Sequence, residues 1–179
     1  AAFGLSVAGM SLVQQQFFPA SDRPELIVDW NLPQNSSMAE TSRQMAQFER
    51  EKLTGNPDID HWSSYVGRGA PRFILSFDVQ PDDPTFGQIV IVSKGIEVRD
   101  RLKADLQAYL LKTFPGTDAF VRTLDIGPPV GKPIQYRISG PDIQKVRDLA
   151  QKTAGIVMSH PSLTGLVFDW NEPARVVKV

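Results

Sequence analysis

The chain has 179 residues, a length that suits one domain or two small ones. Hydrophobic residues make up 41% and charged residues 22% of the sequence, which is typical of a globular protein. The formal net charge of -1 argues against a nucleic-acid-binding protein, because such proteins usually carry a strong basic excess. The sequence contains no cysteine, which excludes disulfides, thiolate zinc sites and thiol catalysis.

The N-terminal stretch carries no charge before Asp22. Its apolar part, residues 1–13, is shorter than the ~20 residues that span a bilayer. It also lacks the basic start and small-residue exit of a signal peptide. Two interpretations stay open: a short buried helix, or the outer end of a membrane helix. The sequence QQQFFP at residues 14–19 suits a membrane–water boundary.

The elements that follow are predicted from hydrophobic periodicity. Residues 25–32 alternate between apolar and polar, which predicts a half-buried strand. Ser37 and Glu40 have the spacing of a capping box and predict the start of a helix that Gly55 ends. Residues 59–66 predict a second strand. The apolar face of the helix is expected to contain Met38, Met45 and Phe48.

Three further strands and a second helix are predicted before residue 127. Residues 73–79 alternate and predict a third strand, and the nearly continuous apolar run at 86–93 predicts a central strand covered on both faces. A helix is predicted from about 96 to 113, followed by a strand at 119–126. The buried stripe of this helix is expected to consist of Leu102, Leu106, Tyr109 and Leu110.

The stretch GPPVGKPIQYRISGPD, residues 127–142, superficially resembles a phosphate-binding loop. The spacing from Gly127 to Gly131 is one residue short, and Pro133 stands where a hydroxyl should bind Mg²⁺. The following residues predict a strand rather than a helix whose N-terminus would face the anion. The prediction is a proline-stiffened connection between two units, in which Lys132 is an exposed linker residue.

A second unit is predicted after this connection. Residues 134–139 predict a strand, and Gly140-Pro141-Asp142 predicts the start of a helix with Pro141 at its first position. Further strands are predicted at 163–170 and 175–179. The inner face of the helix is expected to contain Ile143, Val146, Leu149, Ala150, Thr153 and Val157.

The order of these elements predicts an α+β protein: a ferredoxin-like split βαβ subdomain followed by a partial second βαβ subdomain. The two units begin alike, which is a weak internal repeat. The sequence stops on a predicted edge strand, which is a liability in a complete protein, so we expect the chain to be part of a longer one.

No constellation of residues indicates catalysis or a cofactor. His61 and His160 are about 100 residues apart without ligand spacing, so no metal site is expected. The acidic residues near Asp82 lack the register of a calcium loop. No nucleophile elbow is present. We therefore expect a protein that is not an enzyme and that needs no cofactor.

The sequences FFPASDRPELIVDWNLPQNSS, YVGRGAPRF, FGQIVIVSK, GPPVGKPIQYRISGPD and FDWNEP occur in this order along the chain. Together they resemble the resistance-nodulation-division efflux transporters of the acriflavin-resistance type, in the second large periplasmic loop. The resemblance implies three parts: residues 1–16 as the end of a transmembrane helix, 17–127 as the first C-half porter subdomain, and 128–179 as the first half of the second.

The resemblance implies a proton-driven multidrug exporter of the Gram-negative inner membrane, with this segment in the periplasm. Its substrates would be amphipathic drugs or other small molecules. Its partners would be the other subunits of a homotrimer, a periplasmic adaptor protein and an outer-membrane channel. The two porter subdomains would form a substrate entrance cleft that opens and closes.

The resemblance also nominates substrate-binding residues. One wall of the cleft would come from the strand at 119–126 and the facing wall from residues 167–171. Members of the family often have aromatic residues where this chain has Arg122 and Leu124, so charged or polar substrates are also compatible with the resemblance. The residues nominated in this way are Arg122, Leu124, Ile126, Phe168 and Trp170.

One alternative function is a stand-alone ferredoxin-like module that binds RNA or a small ligand. An RNA module stacks bases on exposed aromatic residues of its sheet, next to basic side chains. Phe73, Phe77 and Arg72 fit that requirement if residues 73–79 form a strand. The net charge and the uncharged N-terminal stretch argue against this alternative.

Overall fold

The computed structural model of the chain describes residues 21–124, 132, 134–163 and 165–170. The predicted end of a membrane helix at 1–16 and the predicted strand at 175–179 lie outside the described residues. The elements, in chain order, are β1 (Glu25–Asn31), α1 (Met38–Phe48), a π-helical turn (Glu49–Leu53), β2 (Ile59–Val66), β3 (Phe86–Ser93), α2 (Ile96–Thr113), β4 (Asp118–Thr123) and α3 (Ile143–Met158).

Strands β1 to β4 form one antiparallel sheet in the order β2-β3-β1-β4. Strand β1 is central, and its Ile27 is paired with Val90 of β3 and Arg122 of β4. This sheet order, with one helix after β1 and one after β3, is the ferredoxin-like arrangement. The predicted α+β, ferredoxin-like fold class is confirmed.

The main core lies between the sheet and helices α1 and α2. Leu26, Val28 and Trp30 project from alternate positions of β1 into this core and are fully buried. The Trp30 ring lies 5.5 Å from the ring of Phe48 and 5.0 Å from that of Phe114, which closes one end of the core. Burying aromatic side chains of this size contributes strongly to folding.

Both helices are positioned by residues that the sequence predicted. Helix α1 begins after Ser37, whose hydroxyl accepts a hydrogen bond from the backbone N–H of Glu40. Its Met45 and Phe48 are buried, but Met38 is 51% exposed because it lies in the first turn. On α2 the predicted stripe is confirmed: Leu102, Leu106 and Leu110 are buried, and Tyr109 packs at the margin of the core.

The predicted third strand at 73–79 is wrong. These residues belong to a loop, residues 67–85, that lies over the sheet face opposite the helices. Phe77 is buried against that face, whereas Leu75 at the loop tip is 91% exposed. The alternating apolar pattern does not become a strand because no strand pairs with it. Pro71, Pro81 and Pro84 flank these residues within the loop and lack the N–H that would extend a ladder on either side.

In the second predicted unit only the helix is present among the described residues. Residues 134–140 and 165–170 have no regular secondary structure, so the strands predicted at 134–139 and 163–170 are wrong there. An isolated segment cannot form a strand without a neighbour to complete its hydrogen bonds, and none of the described strands pairs with it.

Helix α3 differs from its prediction in two respects. Asp142 is its N-cap and accepts hydrogen bonds from the N–H groups of Gln144 and Lys145, so Pro141 precedes the helix. The predicted inner face is not covered by the rest of the described chain: Ala154 is the one buried residue of α3, and Ile143 and Leu149 are more than half exposed.

No helix in the described part of the chain combines the length and the apolar composition that crossing a bilayer requires. The predicted boundary between the two units, at 127–128, falls within residues 125–131, outside the described ranges. The division into subdomains therefore stays a prediction.

Candidate functional site

Two of the three residues nominated from the strand at 119–126, Arg122 and Leu124, lie on the sheet face opposite the helices. Arg122 projects from β4 onto this face, and Leu124 follows one residue beyond the strand. Leu124 is 2% exposed and packs with Ile27 and Phe77 beneath the loop at 67–85. Ile126 lies outside the described residues.

Arg122 is held by two partners on this face. Its Nε donates a 2.6 Å hydrogen bond to Oδ2 of Asp29 on β1, and both side chains are about one-fifth exposed. Its guanidinium carbon lies 5.9 Å from the centre of the Phe77 ring, within cation–π distance. The charge of Arg122 is therefore balanced by a carboxylate of the neighbouring strand.

The ion pair extends into a chain of hydrogen bonds that reaches the loop. Gln88 of β3 is fully buried and donates from Nε2 to Oδ1 of Asp29 at 2.5 Å. Its Oε1 accepts a 2.7 Å hydrogen bond from the backbone N–H of Ala70. Asp29, Gln88 and Arg122, hereafter the polar triad, thus connect three strands of the sheet to the loop. Buried polar groups with complete hydrogen bonding of this kind rigidify a structure.

The two residues nominated for the second wall of the cleft, Phe168 and Trp170, are exposed to solvent. Phe168 is 40% exposed and Trp170 is 67% exposed. Both belong to the segment 165–170, which has no regular secondary structure. The structure thus brings Arg122 and Leu124 together on one covered face and leaves Phe168 and Trp170 as exposed aromatic surface.

Lys132 is a functional candidate that sequence reasoning missed. Its Nζ donates to Oδ1 of Asp118 at 2.8 Å and to the backbone carbonyl of Gly165 at 3.0 Å, and lies 5.9 Å from the centre of the Phe120 ring. The prediction of an exposed linker residue is wrong, since the side chain is 31% exposed and paired. No local signal reveals this, because the partners lie 14 and 33 residues away in sequence.

A cleft of ≈ 430 Å³ opens at the other side of the fold, between α1 and the turn from α2 to β4. At its floor, Oε1 of Gln44 accepts hydrogen bonds from Nε1 of Trp30 at 3.3 Å and from Oγ1 of Thr117 at 2.9 Å. Glu40 and Arg43 line the rim. The hydrogen bonds of Gln44 thus connect α1 to β1 and to the turn before β4.

The carboxylate of Glu40 has an unusually low pKa. It accepts two hydrogen bonds from the Arg43 guanidinium, at 2.6 and 2.7 Å, and one from Nε2 of Gln44 at 2.9 Å. These bonds, those of Arg43 above all, lower the pKa of Glu40 from its usual 4.5 to about 2. The second half of the predicted capping box is therefore absent, since the carboxylate turns to Arg43 and Gln44 instead of the Ser37 N–H.

Replacing Arg43 is expected to raise the pKa of Glu40. In the native chain Glu40 should stay ionised down to pH near 2, whereas in the Arg43→Gln variant it should titrate closer to 4.5. Because the pKa is lower in the folded chain, the ion pair stabilises it above pH 4.5 and this contribution disappears as the pH falls toward 2. An NMR titration of the Glu40 side-chain carboxyl carbon measures this directly. A native value near 4.5, or no change in the variant, would contradict the assignment.

Within residues 21–124, 132, 134–163 and 165–170 no group of three or more histidine, aspartate and glutamate side chains is arranged to hold a metal ion. His61 forms a 2.7 Å contact with its neighbour Asp60, and His160 accepts from the backbone N–H of Ser162. Each histidine thus has a local partner near its own chain position.

Comparisons with known proteins support the architecture through structure alone. No protein-family model matches the chain, and no curated protein matches it. A crystal structure of a heavy metal efflux pump, crystal form II, is similar over 96% of this chain with a TM-score of 0.63 and 15% sequence identity. Crystal form I of a heavy metal efflux pump gives a TM-score of 0.57 and 16% identity over 96% of this chain.

In both comparisons this chain spans 19% of the length of the pump chain. Structural similarity at these TM-scores, with so little sequence identity, shows a shared fold alone, over nearly all of the present chain. The chain therefore has the fold of a segment of a heavy metal efflux pump.

Proposed function

We propose that the chain is a periplasmic porter segment of a resistance-nodulation-division efflux transporter. The observation that carries this proposal is the shared fold with an efflux pump over 96% of the chain. The motifs that resemble this transporter family support it independently, since they derive from the sequence. On this proposal the segment binds and passes on substrates and catalyses no reaction.

The proposal extends to the machine that would contain this segment. It would be a proton-driven antiporter of the Gram-negative inner membrane, assembled as a homotrimer with a periplasmic adaptor protein and an outer-membrane channel. The porter units would open and close around a substrate entrance cleft, a motion of rigid bodies that many transport and binding proteins use.

The proposed substrates are amphipathic organic compounds. Among the five nominated residues, Phe168 and Trp170 expose aromatic surface, and such surface binds apolar and cationic groups by burial and cation–π contacts. Arg122 and Leu124 are covered by the loop at 67–85. The proposed substrate site is therefore supported by the exposed side chains of Phe168 and Trp170.

Export of heavy metal ions is a second candidate, because the structural neighbours are heavy metal efflux pumps. Soft metal ions are bound preferentially by thiolate, thioether and imidazole ligands. Met38 and Met158 are exposed thioethers, and the sequence has two histidines and no cysteine. The aromatic residues Phe168 and Trp170 favour organic substrates over metal ions.

The RNA-binding alternative loses the feature on which it rested. Phe77 is 3% exposed and packs under the loop at 67–85, and Phe73 belongs to that loop rather than to a strand. The sheet face that would stack bases in an RNA module is therefore covered.

The proposal is tested by expressing the full-length protein that contains this chain in an efflux-deficient Gram-negative host. Susceptibility is measured for amphipathic dyes and detergents in parallel with zinc, copper and cadmium salts. The expected result is protection against the organic compounds, and an uncoupler should abolish this protection. Protection against metal salts alone would establish the second candidate instead. Protection against neither class, at verified expression in the inner membrane, would contradict both.

A further inference from the structure

Lys132 contacts two parts of the described chain, β4 and the segment 165–170, that are distant from each other in sequence. Its ammonium group pairs with Asp118, the first residue of β4, and donates to the Gly165 carbonyl at the start of the segment 165–170. It also lies against the ring of Phe120 on the same strand. Lys132 therefore connects an edge of the sheet directly to the segment that carries Phe168 and Trp170.

The surroundings make these contacts stronger than those of an ordinary surface lysine. The Lys132 and Asp118 side chains are 31% and 29% exposed, so salt screens their attraction less than it screens a fully exposed pair. Hydrogen bonds from an ammonium group are charge-assisted, and the bond to the Gly165 carbonyl belongs to this class. The backbone carbonyl of Lys132 accepts a 3.1 Å hydrogen bond from Nε2 of Gln135, which helps to fix the lysine.

Other packing provides little to hold the segment 165–170. Helix α3, which precedes it, has one buried residue, Ala154. Leu166, Val167 and Phe168 are each at least 40% exposed. Gly165 has a φ of +70°, a conformation that side-chain-bearing residues rarely adopt, and its carbonyl meets the ammonium group in that conformation. The bonds of Lys132 are thus the main described interaction that can place this segment.

We propose that Lys132 is a positioning residue that ties the segment 165–170 to the edge strand β4 and so sets where Phe168 and Trp170 lie relative to the sheet. Its consequence for transport rests on the function proposed above, because there the two aromatic residues form a wall of the entrance cleft. The placement of the segment itself does not depend on that function.

The placement is measured by the distance between two spin labels on the chain. Because the sequence contains no cysteine, Ser63→Cys on β2 and Asp169→Cys in the segment provide two unique labelling sites, both exposed. Pulsed electron paramagnetic resonance then gives the distribution of distances between them. A narrow peak is expected in the chain with Lys132 intact.

Two variants each remove one partner of the Lys132–Asp118 ion pair. Lys132→Met keeps the length of the side chain and removes its charge and donors, and Asp118→Asn keeps an acceptor and removes the negative charge. Both are expected to lose the narrow peak and give a broad distribution. Lys132→Arg keeps the positive charge and the hydrogen-bond donors, so part of the narrow peak should remain in this variant. Lys152→Met, at an exposed lysine of α3, is the matched control and should leave the peak unchanged.

The outcomes separate clearly. A narrow, unshifted peak in Lys132→Met, with far-UV circular dichroism unchanged, overturns the proposal. Equal broadening in Lys152→Met also overturns the proposal, because the broadening would then not result from loss of the Lys132 contacts. Broadening in Lys132→Met and Asp118→Asn alone supports it, even if the full-length protein exports nothing, since export tests the proposed function and not the placement.

Discussion

The Trp30→Ala variant is expected to lose about 3–5 kcal/mol of unfolding free energy, the usual cost of truncating a large buried aromatic residue. Trp30 is fully buried and contacts the rings of Phe48 and Phe114. Its removal leaves a cavity in the core and deprives Gln44 of a hydrogen bond from the indole N–H. Urea unfolding followed by circular dichroism at 222 nm measures the loss without relying on tryptophan fluorescence.

Trp170→Ala is the matched control for this prediction. Trp170 is 67% exposed, so its truncation removes little buried surface and should change the unfolding free energy by no more than about 0.5 kcal/mol. Similar losses in the two variants would contradict the assignment of Trp30 to the core and of Trp170 to the surface.

Loss of the Asp29–Arg122 ion pair is expected to have the second largest effect. Arg122→Met leaves the Asp29 carboxylate on a mostly covered face with Gln88 as its remaining side-chain partner, at an expected cost of about 1–3 kcal/mol. The Asp29→Asn/Arg122→Met double variant should cost less than the sum of the single variants, because neither charge is then left unpaired. A double-mutant cycle from urea unfolding measures the coupling energy, expected at about 1–2 kcal/mol.

The exposed pair Asp58–Arg101 supplies the control for this cycle. Its atoms lie 3.0 Å apart, but the arginine side chain is 70% exposed. Exposed pairs of this kind typically couple by about 0.2–1 kcal/mol. If the Asp29–Arg122 pair couples no more strongly than this pair, the polar triad does not hold the sheet and the loop together.

The first unit could be predicted because its signals are local. The period-2 pattern of β1, the helical stripe of α2 and the Ser37 cap each depend on residues within one element, and each element forms where it was predicted. The predicted half-burial of β1 is wrong, because Ile27 on its second face is as fully buried as Leu26 and Val28. The nearly continuous apolar run of β3 favoured a central strand, and β3 does lie between β2 and β1.

The loop at 67–85 could not be predicted from the same pattern. Alternation at Phe73, Leu75 and Phe77 shows only that every second residue is apolar, and it does not show whether a neighbouring strand exists. The same limit explains why the predictions of strands at 134–139 and 163–170 were wrong for the described residues. Strand formation is decided by pairing partners, which lie far away in sequence and leave no local signal.

The candidate site was partly predictable for a related reason. The alternation of β4 places Arg122 and Leu124 on one face, and the structure has them there. The Asp29 partner of Arg122 is 93 residues away, and the Gly165 partner of Lys132 is 33 residues away. These contacts arise from the sheet order and the placement of the second unit, so the sequence alone does not reveal them. A substrate-binding role for the nominated residues stays a prediction.

The most direct test of the proposed function is export by the full-length protein carrying Trp170→Ala. At equal expression, this variant is expected to change resistance to at least one exported amphipathic compound, because Trp170 is the most exposed of the nominated side chains that the structure describes and its truncation is expected to leave the fold intact. Ile96→Ala, at an exposed position in the first turn of α2, should leave resistance unchanged. Unchanged resistance of the Trp170→Ala variant to every exported compound would contradict the account.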